Sequence, residues 1–327
     1  MTPLPWLLGS YATLRQARAA GRFPHALLIH AAAGVGGESL ALFAAQLALC
    51  RQPEPPCGHC RDCRQVELRQ HPDLHWVSPE ESKLIRIEQV RELSEQLGFT
   101  AHGGGATIAV LVPAEAMNAF AANALLKTLE EPRAGTTLIL VTAAPSRLPA
   151  TLVSRCQRLR VRPPARAEAL AWLTAQHGPQ DWGPALEVLG NAPLAAAAHD
   201  PLQLAELQRE TLAAVTAAAA GELDIPATAE RWAKGEHFEL RLACIETWLT
   251  GRIEAWAAGV PPAVATGGKM GSSAHLSYAV DAATMAPLLR LLEAVYDLRR
   301  LALTAINRPL ALERLLWQCA ARAEARN

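Results

Sequence analysis

The chain has 327 residues, 50% hydrophobic, 19% charged and 5% aromatic. A chain of that size and apolarity buries large cores, which excludes global disorder, and its length suggests roughly two domains, with three small ones possible. Lys+Arg 31 balances Asp+Glu 31, so the whole chain lacks the surplus positive charge of a protein that grips nucleic acid alone; Lys occupies only positions 83, 127, 234 and 269.

The first half alternates strand-like and helix-like segments. Ala26–His30 is a short apolar run that ends in a Gly-rich turn, and a helical pattern follows to about Cys50. Asp73–Val77 reads as a strand, and apolar residues at 87, 90, 93 and 97 have helical spacing. Ala106–Val112 and Thr136–Thr142 are near-continuous apolar and β-branched runs, the pattern of buried parallel strands. Ala114–Leu129 between them reads as one helix, and Gln157–Val161 as a last strand. Strands alternating with helices predict a parallel sheet covered on both faces.

The pattern changes at Arg162-Pro163-Pro164. Residues 165–200 read as three short helices, broken at His177-Gly178-Pro179 and at Gly190–Pro193. From Pro201 onward the chain is Ala/Leu-rich and helical, apart from Ala258–Ser273, whose only charge is Lys269 and which reads as a mobile loop. The tryptophans at 232, 248, 256 and 317 are expected to pack in that helical part. No window approaches 18 consecutive apolar residues, and the first residues lack the basic segment of a secretion signal, so the cytoplasm is the expected compartment.

Four of the seven cysteines crowd together as Cys50, Cys57, Cys60 and Cys63. Four thiolates complete a tetrahedral zinc shell, and each C-x2-C spacing lets two sulfurs converge on one ion. Gly58 suits the tight turn, and Pro53, Pro55 and Pro56 keep the first spacer non-helical. His59 and His71 are substitute ligands by position. Nothing leaves an open coordination position, so the expected site is structural; disulfides or a redox pair are the competing reading.

The turn at 31–38 has the outline of a phosphate loop without its chemistry. Gly36 takes the second glycine position of G-x-x-x-x-G-K-[ST], with Gly34 inside the loop; Ala31 replaces the first glycine, Gly37 stands for the lysine and Glu38 for the metal-binding hydroxyl. The strand at 106–112 ends in Val112-Pro113-Ala114, where a nucleotide hydrolase would place Asp-Glu. Three groups are missing at three expected places, which points to a retired site.

In order, PHALLIHAAAGVGG, the cysteine cluster, AMNAFAANALLKTLEEP and LILVTAAPSRLPATLVSRCQ resemble the clamp-loader branch of the AAA+ proteins, over residues 1 to about 200. The resemblance implies an α/β AAA+ domain with a zinc module at about 50–70 (residues 1–162), a small helical lid (163–200) and a helical collar (201–327). It implies that Arg155, in Ser154-Arg155-Cys156, acts as an arginine finger in trans on the ATP site of a neighbouring gamma/tau ATPase subunit. A delta subunit, the sliding clamp and primed DNA are the further implied partners, and zinc is the implied cofactor, with no ATP bound by this chain. Gly190–Ala195 lacks the lid arginine of active members. The bland reading of Arg155 is a local ion pair. Asn123 and Lys127, four apart on one helix, could face a neighbour or solvent, and Cys156 is expected to pack beneath a helix end. An ATP-hydrolysing subunit is one rival, lacking Lys and Ser/Thr at 37 and 38. A zinc-dependent nucleic-acid-binding module is the other, drawing on Arg51, Arg61, Arg64 and Arg69.

Overall fold

A computed structural model describes residues 3–80, 83–102, 105–257, 285–301 and 307–320. It divides into two compact units: Met1–Trp172 with Asn191–Ala195, and Leu173–Gly190 with Ala196–Asn327. The stretch expected to form a lid contributes residues to both.

The first unit is built on five parallel strands: β1 (Ala26–His30), β2 (Leu74–Val77), β3 (Thr107–Leu111), β4 (Thr136–Thr142) and β5 (Gln157–Arg160), in the order β2-β3-β4-β1-β5. The three central strands, β1, β3 and β4, are near-continuously apolar because both of their faces are covered, whereas the edge strands β2 and β5 carry polar residues. Alternation sends Ile29, Ile108, Val110, Ile139 and Val141 to one face. There they pack with Tyr11 and Leu14 of α1 (Leu8–Ala19) and Leu40, Phe43 and Leu47 of α2 (Gly37–Leu49). Leu28, Ala109, Leu111, Leu138 and Leu140 take the other face, against α4 (Ile87–Gln96), α5 (Ala119–Glu130) and α6 (Ala150–Val153). A seven-residue helix, α3 (Arg61–Glu67), lies inside the cysteine segment.

One expected helix is divided. Residues Ala114–Ala116 form a 3-10 turn, Met117 is extended and bridges Ile85, and α5 starts only at Ala119. Asn118 causes the restart: its side chain accepts a hydrogen bond from the Ala121 N–H, closing the first turn as an N-cap.

The second unit is helical. After α7 (Arg166–His177), which spans the division, come α8 (Gly183–Val188) and α9 (Pro193–Ala196), the latter also spanning it. Then follow α10 (Pro201–Ala220), α11 (Ile225–Lys234), α12 (Phe238–Ala257), α13 (Met285–Leu301) and α14 (Arg308–Ala320). Asp200 and Asp224 cap α10 and α11, and Gly221 ends α10 in the left-handed conformation. Val215, Ile225, Trp232, Leu242, Ile245, Val295 and Leu316 share one core. Trp248 packs against it, whereas Trp256 and Trp317 of the same helical part stay half-exposed. No strand follows Arg160 among the described residues, and no described helix is long and apolar enough to cross a membrane. The stretch 258–273 lies outside the described residues.

Candidate functional site: a closed phosphate loop, a four-thiolate cluster and an exposed arginine

The turn after β1 leads into α2 through Gly34 (φ +74°) and Gly36 (φ +103°), positions that only glycine occupies without strain. The chain itself fills the space above. The Leu194 N–H donates to the Gly34 carbonyl at 3.0 Å, and a Cβ on Gly34 would lie 2.3 Å from the Ala195 Cβ. Gly37, at the lysine position, is buried against β4 and β1. A Cβ there would meet Val141 Cγ1 at 2.8 Å and Ala31 Cβ at 3.0 Å. The loop therefore lacks the phosphate-binding cation, and any side chain at position 37 would force Val141 or Ala31 to shift. Glu38 is engaged elsewhere, accepting from Arg69 at 2.7 Å. Arg69, in the left-handed region at φ +58°, also lies 3.9 Å over the Trp76 ring.

At the end of β3, a cis Val112–Pro113 bond stands where acidic ligands would be needed. The first acid, Glu115, accepts from the Ala143 N–H at 3.0 Å, so it braces the end of β4.

The four cysteines converge. Their sulfurs all lie within 4.8 Å of one another, with Cys50–Cys57 at 3.8 Å, Cys50–Cys60 at 3.9 Å and Cys57–Cys63 at 4.0 Å. A tetrahedron with zinc–sulfur bonds of about 2.3 Å has edges of about 3.8 Å, so the donor set fits zinc. These separations are far beyond a disulfide bond, and all four cysteines are free. Gly58 turns the loop at φ +76°, and the Cys60 and Cys63 amides donate to the sulfurs of Cys57 and Cys60 at 3.3 and 3.4 Å. The His59 amide pulls the Cys57 thiol down to about 6, while burial pushes the Cys63 thiol up. Gln46 of α2 donates to the Cys63 carbonyl at 2.9 Å, tying the cluster to the helix that starts at the loop. Neither histidine joins the shell. His59 Nδ1 is 2.8 Å from the Cys57 carbonyl, and His71 accepts from the Asp73 amide while facing Asp62 at 3.7 Å. Burial holds the His71 pKa below its ordinary value, against the pull of Asp73 and Asp62.

The surrounding arginines do not form a free basic face. Arg51 faces Asp62 at 3.8 Å and Arg69 is paired with Glu38, so two of the four are neutralised.

Arg155 follows α6. Its side chain is 37% exposed, and its guanidinium is bonded to Glu130 at 2.6 Å and to the Thr151 carbonyl at 2.8 Å. Glu130 is the last residue of α5, so the LEEP segment and the Ser-Arg-Cys triplet meet in space. Asn123 and Lys127 lie on the exposed side of α5. Cys156 is buried, its thiol on the Leu152 carbonyl at 3.4 Å and pushed up to about 11 by burial, so it is a packing residue. The sequence had no signal for Ala195 over the loop or for Glu130 as partner of Arg155; both contacts join segments distant in the chain.

Residues 9–165 match the family described as DNA polymerase III, delta subunit. The chain is 41% identical over 175 residues to DNA polymerase III subunit delta' of Escherichia coli K12, covering 53% of this chain and 52% of that protein. It is 43% identical over 179 residues to the corresponding protein of Pseudomonas aeruginosa, covering 53% and 54%. With that of Bacillus subtilis it shares 38% over 143 residues, 43% of each chain. The matches thus span about half the length of the curated relatives or less. They make this chain a relative of the DNA polymerase III delta' subunits, the relationship being carried by its first half.

Proposed function

We propose that this chain is a non-ATP-hydrolysing subunit of a replicative clamp loader, an AAA+ assembly that loads a sliding clamp onto primed DNA. The observation that supports it most is the contrast between a closed phosphate loop, with Gly37 packed on Val141 and Leu194 bonded to Gly34, and a surface guanidinium at Arg155. The first unit is the AAA+ domain of that reading, residues 163–200 its lid and 201–327 its collar. The partners are gamma/tau ATPase subunits, a delta subunit, the clamp and primed DNA, in the cytoplasm.

In this reading Arg155 works in trans. A guanidinium bridges phosphate oxygens with two parallel hydrogen bonds and stabilises the charge that spreads over them during phosphoryl transfer. Glu130 offers the same two-point chemistry as a phosphate and holds the side chain until a nucleotide displaces it. The exchange is inexpensive because an exposed ion pair contributes about 0–1 kcal/mol. Cys50, Cys57, Cys60 and Cys63 would hold zinc as a closed structural centre, which fixes the loop between α2 and α3 and offers no position for substrate.

The test is reconstitution of the complex with Arg155→Ala and Arg155→Lys. Arg155→Ala should assemble normally, because truncating a surface side chain leaves no cavity. It should lose about 10³–10⁵ in rate at the one ATP site it completes, so total turnover falls in part and clamp loading falls further. Arg155→Lys should rescue poorly, because an ammonium lacks the planar two-point contact. Wild-type loading by an assembled Arg155→Ala complex overturns the finger. Failure to assemble marks Arg155 as a structural partner of Glu130.

A further inference from the structure

Charge is balanced over the chain but not along it. Between Pro132 and Ala167 there are seven arginines and neither Asp nor Glu. Strand β5 runs through this stretch at the edge of the sheet and, among the described residues, pairs only with β1. Leu159 turns into the core beside Ile29, and Gln157, Arg158 and Arg160 are exposed. The Val161 amide donates to the His30 carbonyl at 2.8 Å, carrying the extended backbone one residue further, to exposed Arg162. By the alternation of a parallel ladder, Arg158 and Arg160 point their own amides away from β1, toward the free edge. Their Cα atoms are about 6.6 Å apart at ordinary strand rise. Arg158, Arg160 and Arg162 have no ion-pair partner among the described residues.

We propose that the free edge of β5, through Arg158, Arg160 and Arg162, binds the phosphate backbone of a single-stranded nucleic acid. Three guanidiniums in an extended row, with outward amides between them, match a polymer that repeats one negative group along a line. A protein partner fits less well. Stable protein interfaces are anchored by apolar or aromatic side chains at their centre, and this edge presents none. The zinc module is the weaker competitor for nucleic acid, because Asp62 and Glu38 neutralise Arg51 and Arg69, whereas no acid interrupts the β5 row.

The proposal is independent of the arginine-finger reading, because it is measured on the chain alone. Fluorescence anisotropy of a labelled oligo-dT, titrated with the full chain between about 50 and 200 mM salt, gives affinity and salt slope. An Arg158→Ala/Arg160→Ala/Arg162→Ala variant should bind at least tenfold more weakly at low salt. Its slope should be shallower by about 2, at about 0.7 per lost phosphate contact. The triple Lys variant should keep most of the slope, and Arg61→Ala/Arg64→Ala in the zinc module should keep all of it. Zinc content and circular dichroism equal to wild type establish that each variant is folded. Absence of binding at about 50 mM salt overturns the proposal, as does a triple Ala variant that binds like wild type. A slope lost in the zinc-module variant instead would move the contact there. A triple Ala variant that keeps DNA binding but fails to join ATPase subunits would make this edge a protein interface.

Discussion

The loop at 34–38 and the cluster at 50–63 lie at opposite ends of the same helix, α2, and both use left-handed glycines to turn the backbone. One has the outline of a phosphate loop without its lysine or its hydroxyl; the other has a full donor set at ligand distances. The difference lies in what each keeps besides backbone shape. Around the loop, the lysine position packs on Val141 and the space above is taken by Leu194 and Ala195. Around the cluster, amides point at the sulfurs and Gln46 fixes the Cys63 carbonyl. Core packing around Gly37 accounts for the backbone shape of the loop, whereas the four converging thiols form a donor set that fits a metal ion.

The largest expected effect is on the cluster. The purified chain should carry close to one zinc, and Cys60→Ser/Cys63→Ser should carry nearly none by metal analysis after dialysis. Ion binding to such a site is coupled to ordering of the ligand loop, so the variant should also become sensitive to proteolysis between Cys50 and Cys63. Unchanged metal content would break the comparison at its stronger end.

The loop should respond in the opposite sense to repair. Restoring the phosphate-loop consensus with Gly37→Lys/Glu38→Thr should destabilise the fold by about 1–3 kcal/mol in urea unfolding, because the new side chain starts inside the contact distance of Val141 and Ala31. Wild type and variant alike should bind no fluorescent ATP analogue with Mg²⁺. Micromolar binding by the repaired chain would show that only the side chains were lost, and not the space.

Much of this was legible in the sequence because it rests on periodicity or local spacing. The central strands β1, β3 and β4 are apolar runs covered on both faces, and Cys57, Cys60 and Cys63 share a single turn and the short helix α3. The break before α5 was also legible in principle, because Asn118 is a good N-cap residue ahead of an apolar helical run. The closure of the loop was not. Ala195 reaches Gly34 across about half the chain, and nothing in Pro193-Leu194-Ala195 marks it as a plug. Glu130 is likewise an ordinary helix-end acid until the fold brings it to Arg155.

The smallest expected effect concerns the contact that joins the two regions. Arg69, just after the cysteine cluster, bridges to Glu38 at the loop and lies over Trp76. The ion pair is exposed on both sides, at 42% and 53%, so Glu38→Ala should cost no more than about 0.5 kcal/mol, screened further by salt. Arg69→Ala should cost more, because it also removes a cation–π contact worth about 0.5–1 kcal/mol, and that part should survive high salt. Arg69→Gly should be the milder of the two Arg69 changes, because at φ +58° glycine relieves a backbone strain that alanine retains. A double-mutant cycle over Glu38 and Arg69 at low and high salt separates the contributions. A coupling above about 1 kcal/mol would mean that the cysteine segment and the glycine loop are energetically joined through this bridge. A coupling near zero would leave Gln46 and the shared helix α2 as the connection between them.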